Sequence, residues 1–253
     1  MNYNIETEQR HYDSIYGQKR KDWPYDNLFR SAEKTFSDQV IELINQRDFT
    51  EILDLGCGNG EKTKYLQFID KVKLIGIDIS PVGIERANSE KEKNTKFYVM
   101  DAEKLSFNSN EFDLIINHGS FSSLNMSVVW PKLVHVLKPG GALIGIETLG
   151  SNPLFALKRK LNFWRKIRTN NVISQIVTFS WLRRKAKIFQ TSSQIFFGLT
   201  STIWAPYLSV LPMNSFLLRA INFTDKIDQY LLAIPLFQGL SYKTVFTFKS
   251  LIK

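Results

Sequence analysis

Between residues 50 and 150, short apolar runs alternate with longer amphipathic stretches, and each run ends in small or acidic residues. The first run, 52–55 (Ile52-Leu53-Asp54-Leu55), meets Gly56, Gly58 and Gly60 and then a helix-like segment, 61–69. A second strand at 72–77 ends at Asp78. Ser80 and Pro81 follow as N-cap and first position of a helix over 82–91. A third strand, 96–100, precedes Asp101-Ala102, and a fourth, 112–116, ends at Asn117-His118-Gly119. A helix ending at Leu137 turns through Lys138-Pro139-Gly140-Gly141 into a fifth strand, 142–147. Strands alternating with helices of this length predict βαβ units and a parallel sheet.

Both flanks read differently. Residues 7–47 predict helices, with Val40, Ile41, Leu43 and Ile44 as an apolar stripe after Ser37-Asp38. Beyond the core, Asn152-Pro153 opens a helix over 154–168. Leu154, Leu157, Leu161, Trp164 and Ile167 form one stripe there, with Arg159, Lys160, Lys166 and Arg168 mostly off it. A basic amphipathic helix carrying tryptophan suits a membrane interface. After Arg183-Arg184-Lys185-Ala186-Lys187 come 31 residues, 188–218, without a charge. A buried or substrate-lining helical cap ranks first for that stretch. A shallow membrane hairpin ranks second and a transmembrane helix third, because Gln190, Gln194, Pro206 and Pro212 dilute it. The alternating 244–249 predicts a strand returning to the sheet as its edge. The expected organisation is a helical lid (1–47), an α/β core (48–150), a basic helical cap (151–240) and a terminal strand (241–253).

Charge sharpens this division. The 253 residues are 43% apolar with a net charge of +9, yet residues 151–253 hold 15 Lys and Arg against only Asp225 and Asp228. Residues 1–150 are mildly acidic. The asymmetry points to an anionic partner or surface for the C-terminal third. The polar 1–10 stretch is not that of a cleaved signal peptide, and the single Cys57 leaves no internal disulfide or multi-cysteine metal site. Cytoplasmic placement is expected, with peripheral attachment at the inner face of a membrane.

The glycine loop carries the chemistry. Its spacing places Glu61 where a dinucleotide fingerprint needs glycine, and no Walker lysine is present. With Asp54 just ahead of Gly56, the loop suits a cationic, phosphate-free nucleoside at a helix N-terminus. A carboxylate at the tip of the second strand, Asp78, can accept both hydroxyls of a ribose, and Asp101 a proton from an adenine amino group.

Asp54-x-Gly56-x-Gly58-x-Gly60, Asp78, Asp101-Ala102, Phe112-Asp113-Leu114-Ile115 and Leu137-Lys138-Pro139-Gly140-Gly141 together resemble the class I S-adenosylmethionine-dependent methyltransferases. The resemblance implies a doubly wound, mostly parallel seven-stranded Rossmann-like sheet, with S-adenosylmethionine as cofactor. It implies that Asp54 and the backbone of Gly56, Cys57, Gly58 and Gly60 hold the methionine part, with Asn117 contributing. Asp78 and Ile79 would hold the ribose side, Asp101 and Ala102 the adenine edge. N-terminal helices in the family close over the cofactor, a role for which Tyr12, Tyr16 and Trp23 are available alongside core packing. His135 departs from the arginine common two residues before Leu137. Residues 147–154, Arg168-Thr169 and 228–235 add a looser similarity to a subgroup from bacterial cell-surface polysaccharide and glycolipid gene clusters.

Methyl transfer from a sulfonium needs a positioned nucleophile and, for a hydroxyl, a base. His118 and Glu147, at the ends of the fourth and fifth strands, are the candidates. The Asn/Asp-Pro-Pro-aromatic motif of base-amine methylation is absent, Asn117-His118-Gly119-Ser120 standing in its place. No metal-ligand cluster is apparent. The expected acceptor is a small molecule, glycan or lipid-linked group methylated at oxygen, with an anionic membrane surface as partner. RNA methylation through the basic region and a non-catalytic scaffold are the alternatives.

Overall fold

The computed structural model describes residues 5–17, 28–150, 152, 156–157, 176–208 and 214–252. Two N-terminal helices, α1 (Ile5–Gly17) and α2 (Arg30–Arg47), precede β1 (Glu51–Leu55) and β2 (Lys73–Asp78). Then come α3 (Pro81–Ser89), β3 (Thr95–Val99), β4 (Phe112–His118), α4 (Met126–Val136) and β5 (Leu137–Thr148). The C-terminal part adds α5 (Phe179–Lys185), β6 (Phe189–Phe197), α6 (Ser215–Leu232) and β7 (Lys243–Leu251). Ser80 caps α3 by accepting from the Gly83 amide at 3.0 Å, with Pro81 in the first turn, as the sequence predicts.

One seven-stranded sheet runs in the order β3-β2-β1-β4-β5-β7-β6. Strands β1 to β5 are parallel, and β7 runs antiparallel to both its neighbours. This is the expected doubly wound, mostly parallel sheet. The order reverses between β1 and β4, so the cleft for a ligand opens at the carboxyl ends of those strands. On one face α2 buries Ala32, Phe36, Val40, Leu43 and Ile44 against Ile52, Leu114, Ile116 and Ile144, joined by Leu217 and Ile221 of α6. On the other face α4 sets Val129, Leu133 and Val136 against Leu53, Ile115 and Leu143, with Leu182 of α5. Ile41, counted into the apolar stripe, faces outward at 38% exposure.

Two expectations are corrected here. The final strand is not the edge: β7 lies between β5 and β6, and Thr244 to Phe248 are all buried. Its threonines tolerate that position because Thr247 donates to Gln39 Oε1 at 2.7 Å and Thr244 to the Ile195 carbonyl at 3.1 Å. The edge is β6, from the uncharged run read as helical or membrane-embedded. Among the described residues no helix is long and apolar enough to cross a membrane. Phe189, Phe196 and Phe197 anchor β6, while residues 190–193 between them face outward. Pairing with β7, some 50 residues later, turns this stretch into a strand, and no local periodicity carries that information. Of the helix expected at 154–168 only 156–157 are described, both helical and with Leu157 of the apolar stripe exposed, and Trp23 lies outside the described residues.

Asp228 of α6 binds the chain just after β6. Its carboxylate accepts the amides of Leu199, Thr200 and Ser201 at 2.6–3.2 Å and the hydroxyls of Thr200 and Ser201 at 2.6 and 2.7 Å. Lys185 of α5 lies over the rings of Trp130 and Trp181, 5.1 and 5.6 Å from their centroids. Part of the basic run is thus spent inside the protein.

Candidate active site

The turn after β1 is held by backbone. The Gly56 and Cys57 amides donate to the Ile77 carbonyl at 2.8 and 2.9 Å, which ties the turn to β2. Gly58 has φ +56°, and a Cβ there would strike the Tyr16 hydroxyl, so only glycine fits. Asp78 accepts the Gly58 amide on one carboxylate oxygen and the Ser80 amide on the other, both at 2.9 Å. One carboxylate thereby locks the loops after β1 and β2 around the cleft. Cys57 points away, into a small cluster with Ile84, Ala87 and Phe97, where burial raises its thiol pKa.

Asp54 lies beneath this loop. Its Oδ2 accepts the Thr63 hydroxyl at 2.6 Å, while its buried Oδ1 has no hydrogen-bond partner. Burial pushes the carboxyl up to about 7, against the Thr63 hydrogen bond and with help from Asp78. A buried, unpartnered oxygen is costly unless a ligand or water supplies a donor.

A cleft of about 110 Å³ lies above, lined by Gly56, Asp78, Ile79, Asp101, Ala102 and His118, with Met100, Ser120 and the α1 tyrosines among its other walls. Asp101 gives one oxygen to the Glu103 amide at 2.9 Å, and Ala102 is buried. Helix α1 packs across the opening. Tyr12 shares a 2.7 Å hydrogen bond with the Ser123 hydroxyl, Tyr16 covers Gly58, and Asp13 accepts from the Ser80 hydroxyl.

At the tips of β4 and β5 two candidates turn inward. Asn117 is fully buried, donating to Glu147 Oε1 at 2.7 Å and accepting the Ser120 amide at 3.0 Å. Glu147 also accepts the Phe121 amide at 2.8 Å and is 1% exposed, so it braces the wall and is not brought to the cleft. Burial pushes its carboxyl up to about 7, against those hydrogen bonds.

His118 does line the cleft. Its Nε2 meets Glu33 Oε2 of α2 at 2.5 Å, and the Phe36 ring abuts its edge with centroids 5.5 Å apart. Lys62 and Lys243 approach the same Glu33 carboxylate at 3.6 and 3.4 Å. Burial opposes the Glu33 charge, but the His118 hydrogen bond and the two lysines outweigh it and hold the carboxyl well below its usual range. Burial, with the lysines, lowers the His118 pKa despite Glu33. Glu33 thus holds the ring through Nε2, and the imidazole is less basic than usual. Glu33, Lys62 and Lys243 escape a sequence reading. Lys243 stands 210 positions from Glu33, and an acidic residue in a first helical turn is an ordinary sight.

An open, doubly wound sheet with a glycine turn after β1 and carboxylates at the tips of β1 and β2 has the architecture in which α/β folds present a ligand crevice at the strands' carboxyl ends. Residues 53–145 match the family described as methyltransferase domain. The match takes in the glycine turn and the strand-tip carboxylates Asp54, Asp78 and Asp101, and the sheet around them has the class I methyltransferase fold. Human arginine-hydroxylase NDUFAF5, mitochondrial, is 28% identical over 178 residues, 67% of this chain and 50% of that one. The 2-methyl-6-phytyl-1,4-hydroquinone methyltransferase of Synechocystis is 32% identical over 129 residues, 50% of this chain and 40% of that one. The aligned part is thus half or less of these relatives' length. The geranyl diphosphate C-methyltransferase structure from Streptomyces coelicolor superposes with a TM-score of 0.62 at 12% identity, covering 99% of both chains, a likeness of fold alone.

Proposed function

We propose that this protein transfers a methyl group to a hydroxyl oxygen of a small-molecule, glycan or lipid-linked acceptor, with His118 as general base. The observation that carries this reading is His118 at the cleft wall, held through Nε2 by Glu33. S-adenosylmethionine supplies, when bound, a methyl group already activated on a sulfonium. In this reading Asp54 and the amides of the Gly56–Gly60 turn hold its methionine end, the unpartnered Asp54 Oδ1 receiving a donor. Asp78 and Ile79 take the ribose, and Asp101 and Ala102 the adenine edge. Asn117 and Glu147 shape the wall beside them, and α1 acts as the lid. Nδ1 of His118 accepts the hydroxyl proton, and Glu33 stabilises the imidazolium that forms. Lys62 and Lys243 keep Glu33 ionised.

A screen with radiolabelled methyl donor against hydroxyl- and amine-bearing acceptors tests the reading. His118→Ala should lower kcat by about 10²–10⁴-fold while leaving S-adenosylhomocysteine affinity unchanged in calorimetry. In wild type the rate should fall as pH drops through the His118 pKa, below the usual value of 6.5. Glu33→Gln removes the group that raises that pKa, so the acid limb should move to still lower pH and the plateau should drop. Amine-only acceptors, or a His118→Ala enzyme of full activity, would overturn the assignment.

A further inference from the structure

Helix α6 has two faces of opposite character. Leu217, Ile221, Thr224, Asp228 and Leu232 recur at three- and four-residue spacing and are buried against the domain. Phe216, Phe223 and Tyr230 recur at seven-residue spacing, so they form one line on the other side. They are 74%, 65% and 80% exposed, and Leu236, just past the helix, is 80% exposed. A helix face turned to water is ordinarily polar, and a line of aromatics there calls for a partner.

The charges beside this line say which partner. Arg219 and Lys226 are exposed and follow Phe216 and Phe223 at i+3, along one side of the stripe. The only carboxylates of residues 151–253 are both engaged elsewhere. Asp225 accepts from the Ser31 hydroxyl of α2 at 2.8 Å, and Asp228 is buried on the chain after β6. Among the described residues the stripe is therefore aromatic and cationic with no acidic neighbour on α6. A second copy packed through the same stripe would oppose Arg219 and Lys226 to like charges with no carboxylate to pair them. Anionic lipid head groups complement the cations, and the acyl boundary accepts the rings.

We infer that α6 docks this protein onto an anionic membrane surface through Phe216, Phe223 and Tyr230, with Arg219 and Lys226 on the head groups. The inference deepens the lipid-linked branch of the proposed function and rests on it only for its purpose. Through the Ser31–Asp225 hydrogen bond the docked helix holds the start of α2, two residues before Glu33. A bilayer-borne acceptor would thus be met by the element that orients His118.

The test is sedimentation of the full chain with vesicles of phosphatidylcholine alone and of phosphatidylcholine with 30% phosphatidylglycerol, a composition chosen at roughly the charge density of an anionic leaflet. Wild type should pellet with the anionic vesicles only. Phe216→Ser/Phe223→Ser should weaken binding at least about 30-fold, and Arg219→Gln/Lys226→Gln about fivefold per charge. Circular dichroism and S-adenosylhomocysteine titration serve as folding controls, since none of the four residues lines the cleft. Three results would overturn the proposal. The aromatic variant could pellet like wild type. Wild type could ignore anionic vesicles while being retained on RNA. Or it could sediment as a dimer that the aromatic variant converts to monomer. Vesicle binding with no cofactor binding would instead sink the transferase reading and leave the docking face standing.

Discussion

A carboxyl in the surroundings of Glu147 is half-ionised near neutrality, because burial holds its pKa at about 7 while the unfolded chain returns it to about 4.3. A raised folded-state pKa gives stability that is full below the unfolded value and lost as pH climbs through the folded one. Glu147 should therefore cost the fold on the order of 3 kcal/mol between about pH 4.5 and 7. Glu147→Gln keeps the oxygen that accepts from Asn117 and Phe121. Denaturant midpoints should thus nearly coincide for the two proteins at pH 5, with the variant gaining at pH 8. Parallel pH curves would show that Glu147 does not titrate in this window. Asp54, also held at about 7, adds to the same slope in both proteins and cancels in the comparison.

Elements are fixed to the sheet by a few polar anchors as well as by apolar faces. Asp228 is the clearest case: one carboxylate satisfies three amides and two hydroxyls at the exit of β6. Asp228→Ala leaves these buried donors without their acceptor. It should destabilise the protein by about 2–3 kcal/mol in urea unfolding, with hydrogen-exchange protection lost first along β6 and α6. A change confined to α6 would show that the edge strand does not depend on the anchor. Helix α2 works similarly for the site, since its first turn brings Glu33 to His118 while its apolar face packs on the sheet.

For the whole molecule, a cleft roofed by α1 and walled by the tips of β1, β2 and β4 couples ligand binding to global stability. A ligand at one hundred times its Kd stabilises the native state by about 2.7 kcal/mol. At roughly 2–4 °C per kcal/mol for a chain of this size, S-adenosylhomocysteine should raise Tm by about 5–10 °C. No shift at saturating ligand would contradict the cofactor assignment.

The sequence by itself determined the α/β core. Its central strands β1, β4 and β5 are buried on both faces and so are written largely as apolar runs, and the turn after β1 passes through positive φ at Gly56, Gly58 and Gly60, which glycine takes without strain. The carboxylates Asp54, Asp78 and Asp101 were legible for the same local reason, each standing where a strand ends. Tertiary structure decided the rest. The place of β7 inside the sheet and the strand nature of β6 depend on pairing between distant segments, and hydrogen bonds across a sheet leave no local periodicity. His118 and Glu147 look equivalent as strand-end residues, yet folding turns one to the cleft and seals the other in the wall. Glu33, Lys62 and Lys243 become one charge cluster only because α2, the turn after β1 and β7 converge. Chemistry made by a residue's own neighbours in the chain can be read from the chain, and chemistry made by convergence cannot.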